Sequence, residues 1–231
     1  MQSSEPLKAA KPVVWSHSSL KAFEQCPRKF HEEKVLKRFP FKDTEATIYG
    51  KELHSAAEFY IKDGTPLPAH FAFLKPTLDA LAAKPGRKLT EYEMAVDARL
   101  RPCGFKDPQV WARGIADLLI VDDDNLTAWC ADYKSGNDKY PDRDQLTLMS
   151  LFVFAHFPHV RVVRSALLFV VKDTMVKHRV ELAQATNYWQ DYRERVAALE
   201  GAFASGVWNP KQSGLCRRHC PIASCEFNGG H

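Results

Sequence analysis

The stretch Trp111-Ala-Arg-Gly-Ile-Ala-Asp-Leu-Leu-Ile-Val-Asp-Asp-Asp-Asn-Leu-Thr-Ala-Trp-Cys-Ala-Asp-Tyr-Lys-Ser-Gly136 decides how the rest of the chain is read. Trp111 to Val121 and Leu126 to Lys134 are two strands, and Asp122-Asp-Asp-Asn125 joins them. Short Asx side chains bond their own backbone at a reversal, so the acidic run is a hairpin turn rather than a cation site. Alternate side chains on a strand share a face. Asp132 and Lys134 therefore point one way, about 7 Å apart along the strand, and Trp129, Ala131 and Tyr133 point the other. A turn centred near Asp123 and Asp124 sets Asp117 across from Cys130, with Asp132 one diagonal step away on the same face. Two carboxylates this close repel unless a cation lies between them. Oxygen ligands completed by water suit Mg²⁺ or Mn²⁺. An isolated Asp-x-Lys is common, and by itself an ordinary ion pair accounts for it.

Working outward, Leu89 to Leu100 alternates Tyr92, Met94, Val96 and Ala98 against Glu91, Glu93 and Asp97, a further strand. Upstream the period changes to that of helices. Ser16 or Ser18 caps a helix whose Leu20, Phe23, Cys26 and Phe30 share a face, with a break near Cys26 imposed by Pro27. Ile48 to Ile61 and Ala69 to Ala83 form two more helices, and Lys84 to Arg87 a turn. Downstream come a helix from Pro141 to Phe157, strands at Val160–Val171 and Val176–Leu182, and a helix from Ala183 to Phe203. The expected fold is α/β: a mixed central sheet flanked by helices, with an N-terminal helical layer and a Cys-rich C-terminal tail. Residues 13–205 make one domain, divided into a helical layer (13–88) and a catalytic core (89–205). Residues 1–12 form a flexible tail, and residues 206–231 a Cys-rich segment that packs back near Cys26.

Composition narrows the function classes. The 231 residues are 45% hydrophobic and 26% charged, those of a soluble globular chain. No run approaches the ~20 apolar residues of a membrane span, and Met1 to Lys11 lacks an apolar signal core. A cytoplasmic site, in a bacterium or a phage-infected cell, is expected. Net charge is only +4, yet Lys8 to Lys42 holds nine Lys/Arg against three acids. Such a segment can neutralise phosphates, or equally form a solvated helix face. The six cysteines would be reduced in the cytosol, and three of them fall in the last sixteen residues.

Asp117, a hairpin and Asp132-Tyr133-Lys134 together resemble the active-site hairpin of the PD-(D/E)XK nuclease superfamily, whose core is restriction-endonuclease-like. Four neighbouring motifs make the resemblance closest to its RecB-like and CRISPR-adaptation exonuclease branch. They are the opening helix Ser16 to Phe30, Gly50-Lys-Glu-Leu-His54, Gly114-Ile-Ala-Asp117, and a helix opened by Gln145. The branch usually has Tyr four residues after that Gln, where this chain has Met149. The resemblance implies a Mg²⁺- or Mn²⁺-dependent deoxyribonuclease, more an exonuclease than an endonuclease, acting on single strands or duplex ends. His54, Asp117, Asp132 and the Tyr133 carbonyl would bind metal, Lys134 would position the attacking water, and Gln145 would touch the phosphate or Lys134. Glu93 is either a further contact to the metal site or an exposed strand acid. Recombination or CRISPR-adaptation proteins are the partners implied, with no membrane.

Cys216, Cys220 and Cys225 form a C-x3-C-x4-C run, and Cys26 stands in a Cys-Pro pair. In relatives of this branch one N-terminal and three C-terminal cysteines hold a 4Fe-4S cluster. Their spacing is usually C-x2-C-x5-C, which would put the middle thiol at His219. Zinc on three Cys and one His, or no metal, are the alternatives. Two rival functions also stand: a catalytically idle nucleic-acid-binding or assembly module, and a zinc-stabilised interaction domain.

Overall fold

The structure, a computed structural model, describes residues 13–136 and 138–229; the expected tail 1–12 lies outside the described residues. Ser16 caps α1 (His17–Gln25) reciprocally: its hydroxyl accepts the Ser19 N–H, and the Ser19 hydroxyl accepts the Ser16 N–H. Cys26 is extended, so it ends α1 and caps α2 (Pro27–Phe30), whose first residue needs no N–H partner. A π-helical turn, His31–Val35, follows. Thr44 caps α3 (Glu45–Asp63), and a 3-10 stretch, Ala69–Leu74, runs into α4 (Lys75–Ala82).

The strands are β1 (Arg87–Asp97), β2 (Pro102–Cys103), β3 (Val110–Asp122), β4 (Thr127–Lys134), β5 (Val162–Phe169) and β6 (Thr174–Glu181). They form one sheet in the order β2-β1-β3-β4-β5-β6. Among the described strands only β4 and β5 pair in parallel, and α5 (Arg143–His156) makes the crossover between them. A final helix, α6 (Ala185–Ser205), precedes the tail. No described helix is long and apolar enough to cross a membrane.

The helices expected as a layer over residues 13–88 are present and cover both faces of the sheet, a distribution the sequence did not indicate. Leu20, Phe23 and Phe30 of α1 and α2 pack with Phe152 of α5 and Trp189 of α6 on one face of the sheet. Leu53 and Ala57 of α3 and Leu78 of α4 pack with Leu118, Ile120 and Tyr133 on the other. Two apolar sheet faces each need a cover, and the N-terminal helices serve both. The tail returns to α1 and α2. The Lys211 amine donates to the Glu24 carbonyl at 2.8 Å, and Arg28 donates to the Ser224 carbonyl at 3.1 Å.

The β3–β4 register also departs from expectation. Asp122 pairs with Thr127 and Leu119 with Cys130, so four residues rather than two turn the chain. Leu126 takes φ +50° to close that turn. Moving the register by two residues keeps every side chain on its face, since the pleat repeats every two. The ladder ends at Leu118↔Ala131, so Asp117 falls level with Asp132 rather than with Cys130.

Candidate active site

Beyond Leu118 the strand β3 leaves β4 but stays with β1, and the gap between them is where the polar residues collect. The Asp117 carboxylate reaches into it and accepts the Tyr133 backbone N–H at 2.7 Å, a donor the ladder no longer satisfies. His54 comes in from α3 on one side. Its Nε2 lies 2.9 Å from the Tyr133 carbonyl and its Nδ1 3.3 Å from Asp117. Asp132 and Lys134 face α5 on the other side. Lys134 Nζ is 2.6 Å from Asp132 Oδ2, a charge contact without hydrogen-bond alignment, so that buried oxygen has no aligned donor. Gln145, in the first turn of α5, holds both: its amide donates to Asp132, and its carbonyl accepts from Lys134 at 3.1 Å.

Glu91 is the member that sequence reasoning missed. Ligand atoms of His54, Glu91 and Asp117 lie within 4.8 Å of one another. The β1–β3 ladder pairs Thr90 with Leu118 and Tyr92 with Ala116, which sets Glu91 level with Asp117. Glu91 itself takes φ +46°, a left-handed conformation that a strand residue adopts only under constraint. Glu93, the expected candidate, pairs with Ile115 further along, is exposed, and is not part of the group. Both acids stand on one side of the alternation. The register to β3 distinguishes them, and the long β1–β3 connection hides that register from sequence.

The electrostatics follow from crowding. Burial, and next the Asp117 charge, raise the Asp132 pKa to about 6, with Lys134 opposing. Burial first and Asp117 second also raise Glu91. Asp117 beside His54 holds the imidazole above its usual value, against burial. Three acids and an imidazole with too little positive charge make a site that a divalent cation would relieve. An imidazole, carboxylates and a backbone carbonyl are donors that a divalent cation accepts. A cleft lined by Gly50, Lys51, His54, Ser55, Glu58 and Glu91 opens onto the group.

The glycines of two motifs have packing reasons. A Cβ on Gly50 would stand 3.2 Å from Ser135 Oγ, which brings α3 against the end of β4. A Cβ on Gly114 would stand 3.0 Å from Phe152 and 3.2 Å from Met149. Met149 is thus packing on β3, buried, at the position where the branch usually has Tyr. The basic segment is partly neutralised: Lys21 pairs with Asp142, Lys29 with Glu33 and Arg38 with Glu32. Lys34, Lys37 and Lys42 are exposed, while Lys8 and Lys11 lie outside the described residues.

The cysteines gather where the tail meets α2. Cys26 Sγ accepts the backbone N–H of Lys29 at 3.5 Å and of Lys211 at 3.4 Å, and Cys216 Sγ accepts that of Ser213 at 3.3 Å. No three of the thiols Cys26, Cys216, Cys220 and Cys225 come within 4.8 Å of one another. Cys103 is partly buried and Cys130 fully so within the core.

The comparisons with known proteins fit this geometry. A solved structure from Eubacterium rectale, provisionally called an exonuclease, is similar with a TM-score of 0.52 at 14% identity. The match covers 87% of this chain and 85% of that one, and at such identity it shows the fold. The protein SSO0001 matches over 96% of this chain and 89% of its own, at 16% identity and a TM-score of 0.46, too loose to argue from. No curated protein matches. The family model of the PD-(D/E)XK nuclease superfamily matches residues 14–225, ending at the last cysteine. The span takes in the parted hairpin, His54 and Gln145, and the chain belongs to the PD-(D/E)XK nuclease superfamily.

Proposed function

We propose that the chain is a divalent-metal-dependent deoxyribonuclease of the RecB-like branch, an exonuclease hydrolysing phosphodiester bonds at DNA ends or in single strands. The meeting of His54, Asp117 and the Tyr133 carbonyl with Asp132, Lys134 and Gln145 in one gap between strands carries this reading. His54, Asp117, Asp132 and the Tyr133 carbonyl would hold Mg²⁺ or Mn²⁺, with Glu91 as a further carboxylate. The ion supplies a lowered pKa for the attacking water and charge against the phosphate. Lys134 orients that water and offsets the negative charge that develops on the phosphoryl oxygens. Gln145 fixes the Lys134 ammonium and the Asp132 carboxylate relative to each other. A protein that only bound nucleic acid would gain nothing from crowding acids where a phosphate must come.

End-labelled single- and double-stranded DNA, incubated with Mg²⁺ or Mn²⁺, tests the reading beside Asp132→Ala and Lys134→Ala. Wild type degrades DNA, EDTA stops it, and each variant loses at least a hundredfold, in line with the loss of one preorganised charge-stabilising group. Equal activity in all three proteins would falsify the proposal.

The resemblance to the branch carries a second proposal, a 4Fe-4S cluster on Cys26, Cys216, Cys220 and Cys225, with zinc on three Cys and one His or an unmetallated tail as the alternatives. Anaerobic protein should be brown and contain iron; colourless, iron-free protein rejects the assignment.

A further inference from the structure

A second cleft, of about 770 Å³, lies on the sheet face that carries α3 and α4. Pro76, Ala80 and Lys84 wall it on the α4 side, and β5 and β6 form its far side. Register fixes what the strands present. Arg164 pairs with Arg179, Ala166 with Lys177 and Leu168 with Met175, while Trp129 of β4 pairs with Arg164. The lining contains four Lys/Arg, at 84, 164, 177 and 179, and no carboxylate. Lys84 lies over the Trp129 ring at 5.2 Å and Arg179 pairs with Glu181. Arg164 and Lys177 are exposed, with no partner among the described residues. One end of the cleft, at Leu168 and Met175, is a single residue short of the level of Lys134, which pairs with Phe169.

We infer that this cleft is a second track for nucleic acid, holding a single strand outside the catalytic gap; the inference rests on the nuclease reading. Cations on both walls with no acid between them suit a polyanion backbone. On β6, Lys177 and Arg179 repeat along the strand at about 7 Å, as phosphates recur along an extended chain. Beside the cations, Trp129, Ala166 and, at the cleft's end, the 55%-exposed Met175 offer the apolar surface that unpaired bases seek and that a duplex hides. An acidic amphipathic helix fits less well, because it needs apolar pockets for its anchors. Here Leu118, Ile120 and Ala131 in the floor are already closed.

The test is anisotropy of labelled oligodeoxythymidine, of about six and about 30 nucleotides, bound in EDTA across a salt series. The protein is the full chain, as wild type and as Arg164→Ala/Lys177→Ala/Arg179→Ala. The triple variant should bind the long strand at least tenfold more weakly at low salt. Its slope of log affinity on log salt should fall by about two, from ~0.7 for each of three phosphate contacts. The distant pair Arg99→Ala/Lys106→Ala should leave the slope unchanged, and unchanged Mg²⁺-dependent cleavage of the short strand would show the triple variant intact. A wild-type slope in the triple variant, a slope lost equally in the distant pair, or displacement by polyglutamate but not by oligonucleotide would overturn the track. A wild type that cleaves neither strand, with the slope change still present, would instead sink the nuclease reading and leave the track standing.

Discussion

Asp132 is a buried acid with a second acid level with it, and its raised pKa has a sign that can be measured. A carboxyl whose pKa rises on folding from the usual carboxylate range to about 6 stabilises the fold fully at pH below that range. The contribution is lost as pH climbs through about 6. Asp132→Asn removes that dependence. In EDTA the Tm of the variant minus that of wild type should therefore grow between acid and neutral pH, by about 5 °C for a chain of this size. Mg²⁺ should close the difference for wild type only, because the variant lacks the charge that holds the ion. A difference that shrinks as pH rises would contradict the picture of a destabilising acid pair. Glu91 gives a second case. A left-handed non-glycine residue costs on the order of 1–3 kcal/mol and persists where the surroundings enforce it. Glu91→Gly should relieve that strain and raise the metal-free Tm, while metal-dependent cleavage falls at least tenfold. If the substitution lowered Tm and spared cleavage, Glu91 would be an ordinary strand acid. The crowding of Asp132 by Asp117 was legible in the sequence, but the part of Glu91 was not, because alternation puts Glu91 and Glu93 on the same side and only the pairing with Asp117 separates them.

Among the elements, the hairpin was the most legible and its register the least. Apolar runs, an Asx-rich reversal and a terminal glycine mark both strands, and the facing of Asp132 and Lys134 follows from the two-residue pleat. The number of residues in the turn does not follow, since Asp122 to Asn125 can close a loop of two or four. The helix opened by Gln145 shows a different limit. Its apolar residues surround it, as for a helix buried on all sides, so periodicity could not say which side meets the sheet. The structure settles this at Gly114, where β3 comes close enough for a methyl to crowd Phe152 and Met149. Gly114→Ala should therefore lower stability by about 1–3 kcal/mol through overpacking, seen as a drop in Tm with metal affinity retained. Pairing it with Met149→Ala should recover much of the loss, because the thioether is the more compliant neighbour. A Gly114→Ala protein as stable as wild type would mean that α5 can move off the sheet freely.

Across the molecule, α1 and α2 meet the described part of the C-terminal tail, and the consequences reach beyond the tail. Phe30 and His31 stack on Trp208, at ring separations of 6.0 and 4.6 Å, and Arg195 of α6 pairs with Glu24 of α1. The sequence indicated this closure only through its cysteines, and the aromatic and ionic contacts that accompany them have no local signature. The division of the N-terminal helices between two sheet faces was equally hidden, since an apolar stripe says that a helix is covered but not by which surface. The arrangement has a mechanical implication. α1 and α2 lean on the catalytic core partly through the tail, so loosening the tail should loosen the α1 face before it disturbs the hairpin. Cys26→Ser, or Cys225→Ser from the buried end, should lower Tm by about 5 °C or more if a cluster ties the ends. Hydrogen exchange should rise first in α1 and α2, with β3 and β4 still protected. Trp208→Ala, which leaves every thiol in place, separates packing from ligation. It should weaken the same face while iron content stays at the wild-type level. Equal exchange across the whole sheet in the cysteine variants would mean that the tail and the core unfold as one unit, and that the staple has no local role.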